Sequence, residues 1–190
     1  LGEWGRQRGL DVKTSQETLA PLFKAERGKL NWYCLDFWGR TLELDIPTIK
    51  AGYTEGIRWR PQAETFLRHL QASHLDVVMI TNAHPLTLDM KAEQLPLAQW
   101  FDAMISSHQY GAPKETPTFW DALMTERPFD PQRTLFVDDS EYVLDSAQEF
   151  GIAHLLTLRQ PDSSLPVRLT TRFPAIHHFE EILDGLPDID

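Results

Sequence analysis

Apolar residues recur along this chain with two different periods, and the change between them falls near Trp59. Before it the pattern is helical. Thr14-Ser15-Gln16-Glu17 has the form of a capping box ahead of Leu19, Leu22 and Phe23, which predicts a helix over residues 15–28 that Gly28 stops. The next stretch, LNWYCLDFW, places Leu30, Tyr33, Cys34, Phe37 and Trp38 on one helical face, with Trp32 on its flank. Such a face serves packing or substrate contact, and the rings of Trp32, Tyr33, Phe37 and Trp38 are the candidates to meet a flat substrate. Past Ile46-Pro47 the chain loosens through Gly52 and Gly56, as a return linker does.

From Trp59 onward, helical patterns alternate with short β-prone runs. Pro61 suits the first turn of a helix carrying Phe66, Leu67 and Leu70. Asp76 to Thr81 then reads as a buried strand of the parallel type, with Thr81-Asn82-Ala83-His84-Pro85 as its exit loop. A helix over about 86–95, a strand from Asp102 to Ser106, and the turn-rich loop YGAPKE with Lys114 follow. A helix near 117–126, the strand–turn–helix TLFVDDSEYVLDSAQEFG and a strand from Ile152 to Leu158 complete the series. Pro161 to Pro166 reads as a connecting loop and Phe179 to Leu183 as a closing helix. The alternation predicts an α/β fold, a doubly wound parallel sheet with right-handed crossovers, whose ligands lie at the carboxyl ends of the strands. Residues 1–58 are expected to form a helical module and 59–190 the α/β unit.

Bulk properties remove several function classes. The chain has 190 residues and 42% hydrophobic content, enough to bury a full core. Its 28 acidic and 18 basic residues give a formal charge of −10, which argues against an extended nucleic-acid groove. No apolar run is long enough to span a bilayer, so no membrane partner is expected. A single cysteine, Cys34, excludes an internal disulfide and a cysteine-rich zinc site, and fits the reducing cytoplasm as the expected location.

The strand ends supply the candidate chemistry. Asp138 and Asp139 follow a buried strand, where two adjacent carboxylates repel unless a cation lies between them. Mg²⁺ suits such a pair because it takes oxygen ligands and keeps several waters. A strand end followed by a helix cap at Asp139 or Ser140 explains the same residues without a metal. Thr81 offers a hydroxyl for a phosphate oxygen, and Lys114 can neutralise phosphate and carboxylate together. The joint occurrence of Thr81, Lys114, Asp138 and Asp139 at successive strand ends points to phosphoryl chemistry. His84 reads as a solvated loop histidine that could reach substrate, while His177 and His178 have no acid partner at metal-ligand spacing and read as surface packing.

VVMITNAHP, YGAPKE and TLFVDDSEYVLDSAQEFG resemble the second, third and fourth motifs of the haloacid dehalogenase (HAD) superfamily, in that family's order. LNWYCLDFW, TNAHP and DDSE together are similar to its bacterial GMP/IMP nucleotidase-like branch. The resemblance implies Thr81 with Asn82 for phosphate binding, Lys114 with Thr81 as catalytic groups, Asp138 with Asp139 for Mg²⁺, and the region 1–58 as a cap. The implied partner is a small phosphorylated metabolite, with a purine nucleoside monophosphate as candidate.

One departure stands out. The family's first motif, an apolar strand ending in Asp-x-Asp-x-Thr, supplies the nucleophile that becomes aspartyl phosphate, and it has no counterpart here. The one Asp-x-Asp, Asp188-Ile189-Asp190, follows Gly185-Leu186-Pro187 and reads as a polar tail. In the family fold the missing strand lies between the Thr81 strand and the Asp138 strand. The expectation is therefore that a segment of roughly 20 residues, long enough for a strand and the entry to the cap, lies upstream and that these residues alone are inactive. A non-catalytic HAD-like protein that binds phosphate and metal is the alternative. A response-regulator receiver uses similar groups, but with the acid pair early and the lysine last.

Overall fold

The computed structural model describes residues 1–162 and 164–185, so the expectation for Asp188-Ile189-Asp190 lies outside the described residues. Helices α1 (Gly2–Arg8) and α2 (Val12–Glu26) open the chain. The cap of α2 is Asp11, whose Oδ1 accepts from the Thr14 N–H at 2.7 Å, so the helix starts earlier than the Thr14 capping box predicts. An aspartate three residues upstream simply reaches the free N–H groups first. The two helices meet at Gly5, where a Cβ would lie 2.2 Å from Ser15 Oγ and 2.9 Å from the Leu10 carbonyl. Only glycine permits that approach.

Residues 30–38 depart from the single predicted helix. Leu30–Tyr33 form a 3₁₀ turn, Cys34 is extended at φ −86°, and α3 (Leu35–Leu42) begins after it. Cys34 ends one element and caps the next: its N–H bonds the Asn31 carbonyl, and its Sγ accepts from the Phe37 N–H at 3.4 Å. The break divides the aromatic face. Trp38 donates from Nε1 to the Trp32 carbonyl at 2.9 Å, and the rings of Phe23, Trp32, Phe37 and Trp38 pack edge to face 5.1–6.3 Å apart. Helix α4 (Ile46–Ala51), capped by Asp45, closes this region.

Helix α5 (Ala63–Ala72) starts after Pro61 rather than on it, with Gln62 at φ 64° as its cap. Its Phe66, Leu67 and Leu70 join Trp100, and Phe66 stacks on Phe179 with ring centres 5.2 Å apart. The closing segment Phe179–Gly185 is a 3₁₀ turn rather than an α-helix. Strand β1 (Val78–Thr81) pairs in parallel with β2 (Ala103–Ser106) in a register that sets Thr81 beside Ser106. Helix α6 (Pro85–Gln94) connects them. Helix α7 (Pro117–Glu126) leads to β3 (Leu135–Val137), α8 (Glu141–Phe150), β4 (His154–Leu158) and β5 (Ala175–Ile176). Strands β3, β4 and β5 form a second parallel ladder in that order.

The architecture is α/β with parallel strands, and the main core lies between the strands, α7 and α8, where Phe119, Trp120, Val143, Leu144 and Ala147 are shut from solvent. Among the described residues no ladder joins β1 to β3; the chain builds two separate parallel ladders. Strand β1 is half-buried along its length rather than buried as predicted, and Leu135 at the start of β3 is exposed. Each of these strands has a hydrogen-bonded neighbour on one side only, which leaves that flank open. No helix among the described residues is long and apolar enough to cross a membrane.

Candidate active site

The carboxyl ends of β1 and β3 bring Lys114 and Asp138 together. Lys114 Nζ lies 2.5 Å from Asp138 Oδ2 and 3.4 Å from the Ile80 carbonyl, so one ammonium group reaches from the end of β1 to the tip of β3. Both side chains are buried. A lysine out of water requires a charged partner and fixed geometry, and this one is held at every part. Its N–H donates to Asn82 Oδ1 at 2.9 Å, its carbonyl accepts from Trp120 Nε1 at 3.0 Å, and its ammonium lies 5.6 Å from the Phe136 ring centre. Trp120, fully buried on α7, anchors the loop to the core.

Asn82, expected at a phosphate, has its side chain engaged within the protein: Oδ1 takes the Lys114 N–H and Nδ2 donates to Glu115 Oε2 at 2.8 Å. It ties the end of β1 to the Lys114 loop. Thr81 Oγ1 accepts from the Ala83 N–H at 3.1 Å, an arrangement that turns the loop and leaves the hydroxyl proton for an outside acceptor.

Asp138 and Asp139 differ in environment. Asp138 Oδ1 accepts from the Ser140 N–H at 2.8 Å, so the residue closes the turn into α8 while its other oxygen holds Lys114. Ser140 sits at the cap position but makes no side-chain cap bond. Asp139 is exposed, and its carbonyl accepts from Arg168 at 2.9 Å. Lys114 therefore neutralises one member of the acid pair, not both. Hard oxygen donors in this number suit Mg²⁺, which takes one or two carboxylates and completes its shell with waters and phosphate oxygens.

The helical region reaches this site through Tyr33, whose hydroxyl lies 2.5 Å from Glu115 Oε1. Burial, reinforced by the Glu115 carboxylate, pushes the phenol well above its ordinary range, so Tyr33 remains a donor. Trp32, Phe37 and Trp38, expected with it at the substrate, pack together with Phe23, and Trp32 stays exposed. Lys50 Nζ adds a second tie, 3.3 Å from Thr87 Oγ1 on α6.

His84 is not a solvated loop histidine. It is buried, caps α6 by accepting the Leu86 N–H at Nδ1, and packs edge to face on His108 with ring centres 5.0 Å apart. His177 and His178 pack on each other, and both backbone N–H groups bond Glu181. Glu115, Trp120 and His108 are the structural partners that sequence reasoning missed. Glu115 stood in the YGAPKE loop, while nothing local marked Trp120 or His108. A broad hollow at the amino ends of β3 and β4, lined by Leu135, Leu155, Phe173 and Ile182, contains none of the Lys114 group.

A parallel α/β fold with a lysine and a carboxylate paired across strand ends fits a hydrolase of the HAD class, and comparison with known proteins shows that family. The haloacid dehalogenase-like hydrolase family model matches residues 20–151, so the chain belongs to that family. It is 33% identical over 183 residues to the GMP/IMP nucleotidase YrfG of Escherichia coli K12, covering 96% of this chain and 82% of that protein. The HAD phosphatase of Thermococcus onnurineus superposes with a TM-score of 0.76 at 17% identity, covering 96% of this chain and 84% of the other. A HAD-superfamily hydrolase of Geobacter sulfurreducens gives 0.59 at 20% identity, over 90% and 72% of the two chains.

Proposed function

We propose that the protein is a Mg²⁺-dependent phosphohydrolase of the cytoplasm acting on a small phosphomonoester, with purine nucleoside monophosphates as its substrate class. The supporting observation is the buried Lys114 ammonium, held at 2.5 Å by Asp138 and 3.4 Å from the Ile80 carbonyl, so that it lies between the ends of β1 and β3. A fixed cation there meets the charge that develops on a transferring phosphoryl group without reorganising. Lys114 and Thr81 are the catalytic groups of this chain: the ammonium neutralises phosphate oxygens and the Thr81 hydroxyl donates to one of them. Asn82 acts in phosphate binding through the loop it holds. Asp138 and Asp139 would hold Mg²⁺, which supplies further positive charge to the phosphate oxygens when bound.

The attacking aspartate belongs, in this reading, to a further strand that fills the space between β1 and β3 and is not among these residues. Its carboxylate attacks phosphorus, the leaving alkoxide takes a proton from the second aspartate of the same motif, and that aspartate then takes a proton from the water that cleaves the aspartyl phosphate. Residues 1–58 form the cap in this reading, and residues 59–190 the catalytic unit. The cap contributes Tyr33, which its bond to Glu115 holds beside Lys114. The similarity to the GMP/IMP nucleotidase of Escherichia coli supports GMP and IMP as first substrates to try.

The test is phosphate release from GMP, IMP and a panel of sugar phosphates by protein that includes the proposed strand. Release should require Mg²⁺, stop with EDTA and fall about 10²–10³-fold in Lys114→Met, the effect of losing one preorganised charge-stabilising group. Binding of these compounds without any turnover would favour the non-catalytic reading.

A further inference from the structure

We propose a second metal site, for a borderline-soft divalent cation such as Zn²⁺, formed by Cys34, His84 and His108 where the helical region meets the α/β unit. One ligand atom from each residue lies within 4.8 Å of the other two. Tetrahedral zinc with its usual bond lengths sets such atoms roughly 3.3–3.8 Å apart, so a movement of about 1 Å closes the site. The three residues come from separate elements: Cys34 precedes α3, His84 precedes α6, and His108 lies in the 3₁₀ turn after β2.

His108 carries the inference. Ser106 has one hydroxyl proton, and it goes to the Ala83 carbonyl at 2.7 Å. The Ser106 oxygen, 3.4 Å from His108 Nδ1, is therefore the acceptor, which places the ring proton on Nδ1 and leaves Nε2 with a free lone pair. That Nε2 is shut from solvent and has no hydrogen-bond partner among the described residues. A buried acceptor without a donor is unfavourable, and a metal ion satisfies it. The Ser106 contact to Nδ1 is the outer hydrogen bond that metal-bound histidines use to fix their tautomer.

Cys34 and His84 complete the donor set, and His84 joins it by giving up its 3.4 Å bond from the Leu86 N–H: zinc takes the Nδ1 lone pair in its place, or the ring proton moves to Nδ1 and frees Nε2. The Asp36 carboxylate, 3.6 Å from His84 Nε2 and exposed, or a water, supplies the fourth position. One sulfur and two imidazoles select zinc over Mg²⁺, which prefers the oxygens of Asp138 and Asp139. The two cations thus sort to different sites. Because Cys34 follows Tyr33, zinc would pin the helical region against the α/β unit beside the Tyr33–Glu115 contact and restrain its motion over Lys114.

The inference does not rest on the phosphatase reading, since its test reads metal binding alone. Zinc is titrated into the intact protein against a chromophoric chelator, and Co²⁺ is added in parallel as a spectroscopic probe. The expected result is one tight equivalent per chain and a thiolate-to-cobalt charge-transfer band. Cys34→Ser still accepts the Phe37 N–H as a helix cap, and His108→Asn can still bond Ser106, so both variants keep the local fold. Each should weaken zinc by more than about 100-fold, beyond what losing an outer partner does. Asp139→Asn, at the exposed member of the acid pair, should bind zinc unchanged. Undiminished binding in Cys34→Ser and His108→Asn, a cobalt spectrum without the thiolate band, or loss of the site in Asp139→Asn would each overturn the proposal.

Discussion

Lys114 and Asp138, 24 positions apart in sequence, form a buried ion pair with Nζ 2.5 Å from Oδ2. Removing one partner leaves the other charge buried and unpaired, which destabilises by about 3–5 kcal/mol, whereas removing both leaves a polar gap but no charge. Lys114→Met and Asp138→Asn should therefore each lower the urea midpoint more than the combined Lys114→Met/Asp138→Leu protein does. Equal or additive losses would show that the two charges are independently hydrated.

Asn82 spans the end of β1 and the Lys114 loop with two hydrogen bonds, at 2.9 Å to the Lys114 N–H and 2.8 Å to Glu115. Asn82→Ala removes both and should cost roughly 1–3 kcal/mol in urea unfolding. The misplaced lysine should also lower kcat more than it raises KM in a steady-state phosphatase assay.

Tyr33 holds its proton more tightly in the fold than in the unfolded chain, because burial and Glu115 both disfavour the phenolate. The stabilisation from this group is whole below the ordinary phenol value of 10.0 and is lost as the pH rises through the higher folded value. Spectrophotometric titration should find two tyrosines, Tyr33 and Tyr110, resisting ionisation past pH 10, and Tyr33→Phe should remove one of the two. The same substitution should lower stability near neutral pH by roughly 1–2 kcal/mol, the range for a partly screened bond to a carboxylate.

Trp38 packs on Phe23, Trp32 and Phe37 and bonds the Trp32 carbonyl. Trp38→Ala should destabilise by about 2–3 kcal/mol, at the lower end for a buried aromatic because the site is only half-buried. Trp38→Phe should leave KM for a nucleotide within about twofold, since the ring is engaged in packing. A KM change larger than that of Tyr33→Phe would reassign Trp38 to the substrate.

Strands β1 to β4 and the helices between them were legible because their signals are local, whereas the two-residue strand β5 has no such signal and is not legible. Pro117 opens α7 where the first-turn preference of proline places it, and the apolar run Leu135–Val137 stops at the two aspartates. The same locality failed at residues 30–38, where the helical period runs through Cys34 but two capping bonds at that residue break the helix. The grouping of Lys114 with Asp138 could be anticipated from strand order alone. Its supports could not: Tyr33 meets Glu115 across 82 positions, and the free lone pair of His108 depends on where one serine proton goes. Such relationships exist only once the strands are packed, and no periodicity announces them.

The most direct measurement compares Mg²⁺-dependent phosphate release from GMP by these 190 residues alone with release by protein carrying the proposed additional strand. The account predicts turnover only in the latter, together with an acid-stable, hydroxylamine-labile phosphoenzyme that Lys114→Met forms far more slowly. Turnover by the 190 residues alone would contradict the assignment of the nucleophile to another strand, and inactivity of both proteins on every phosphomonoester would contradict the phosphohydrolase itself.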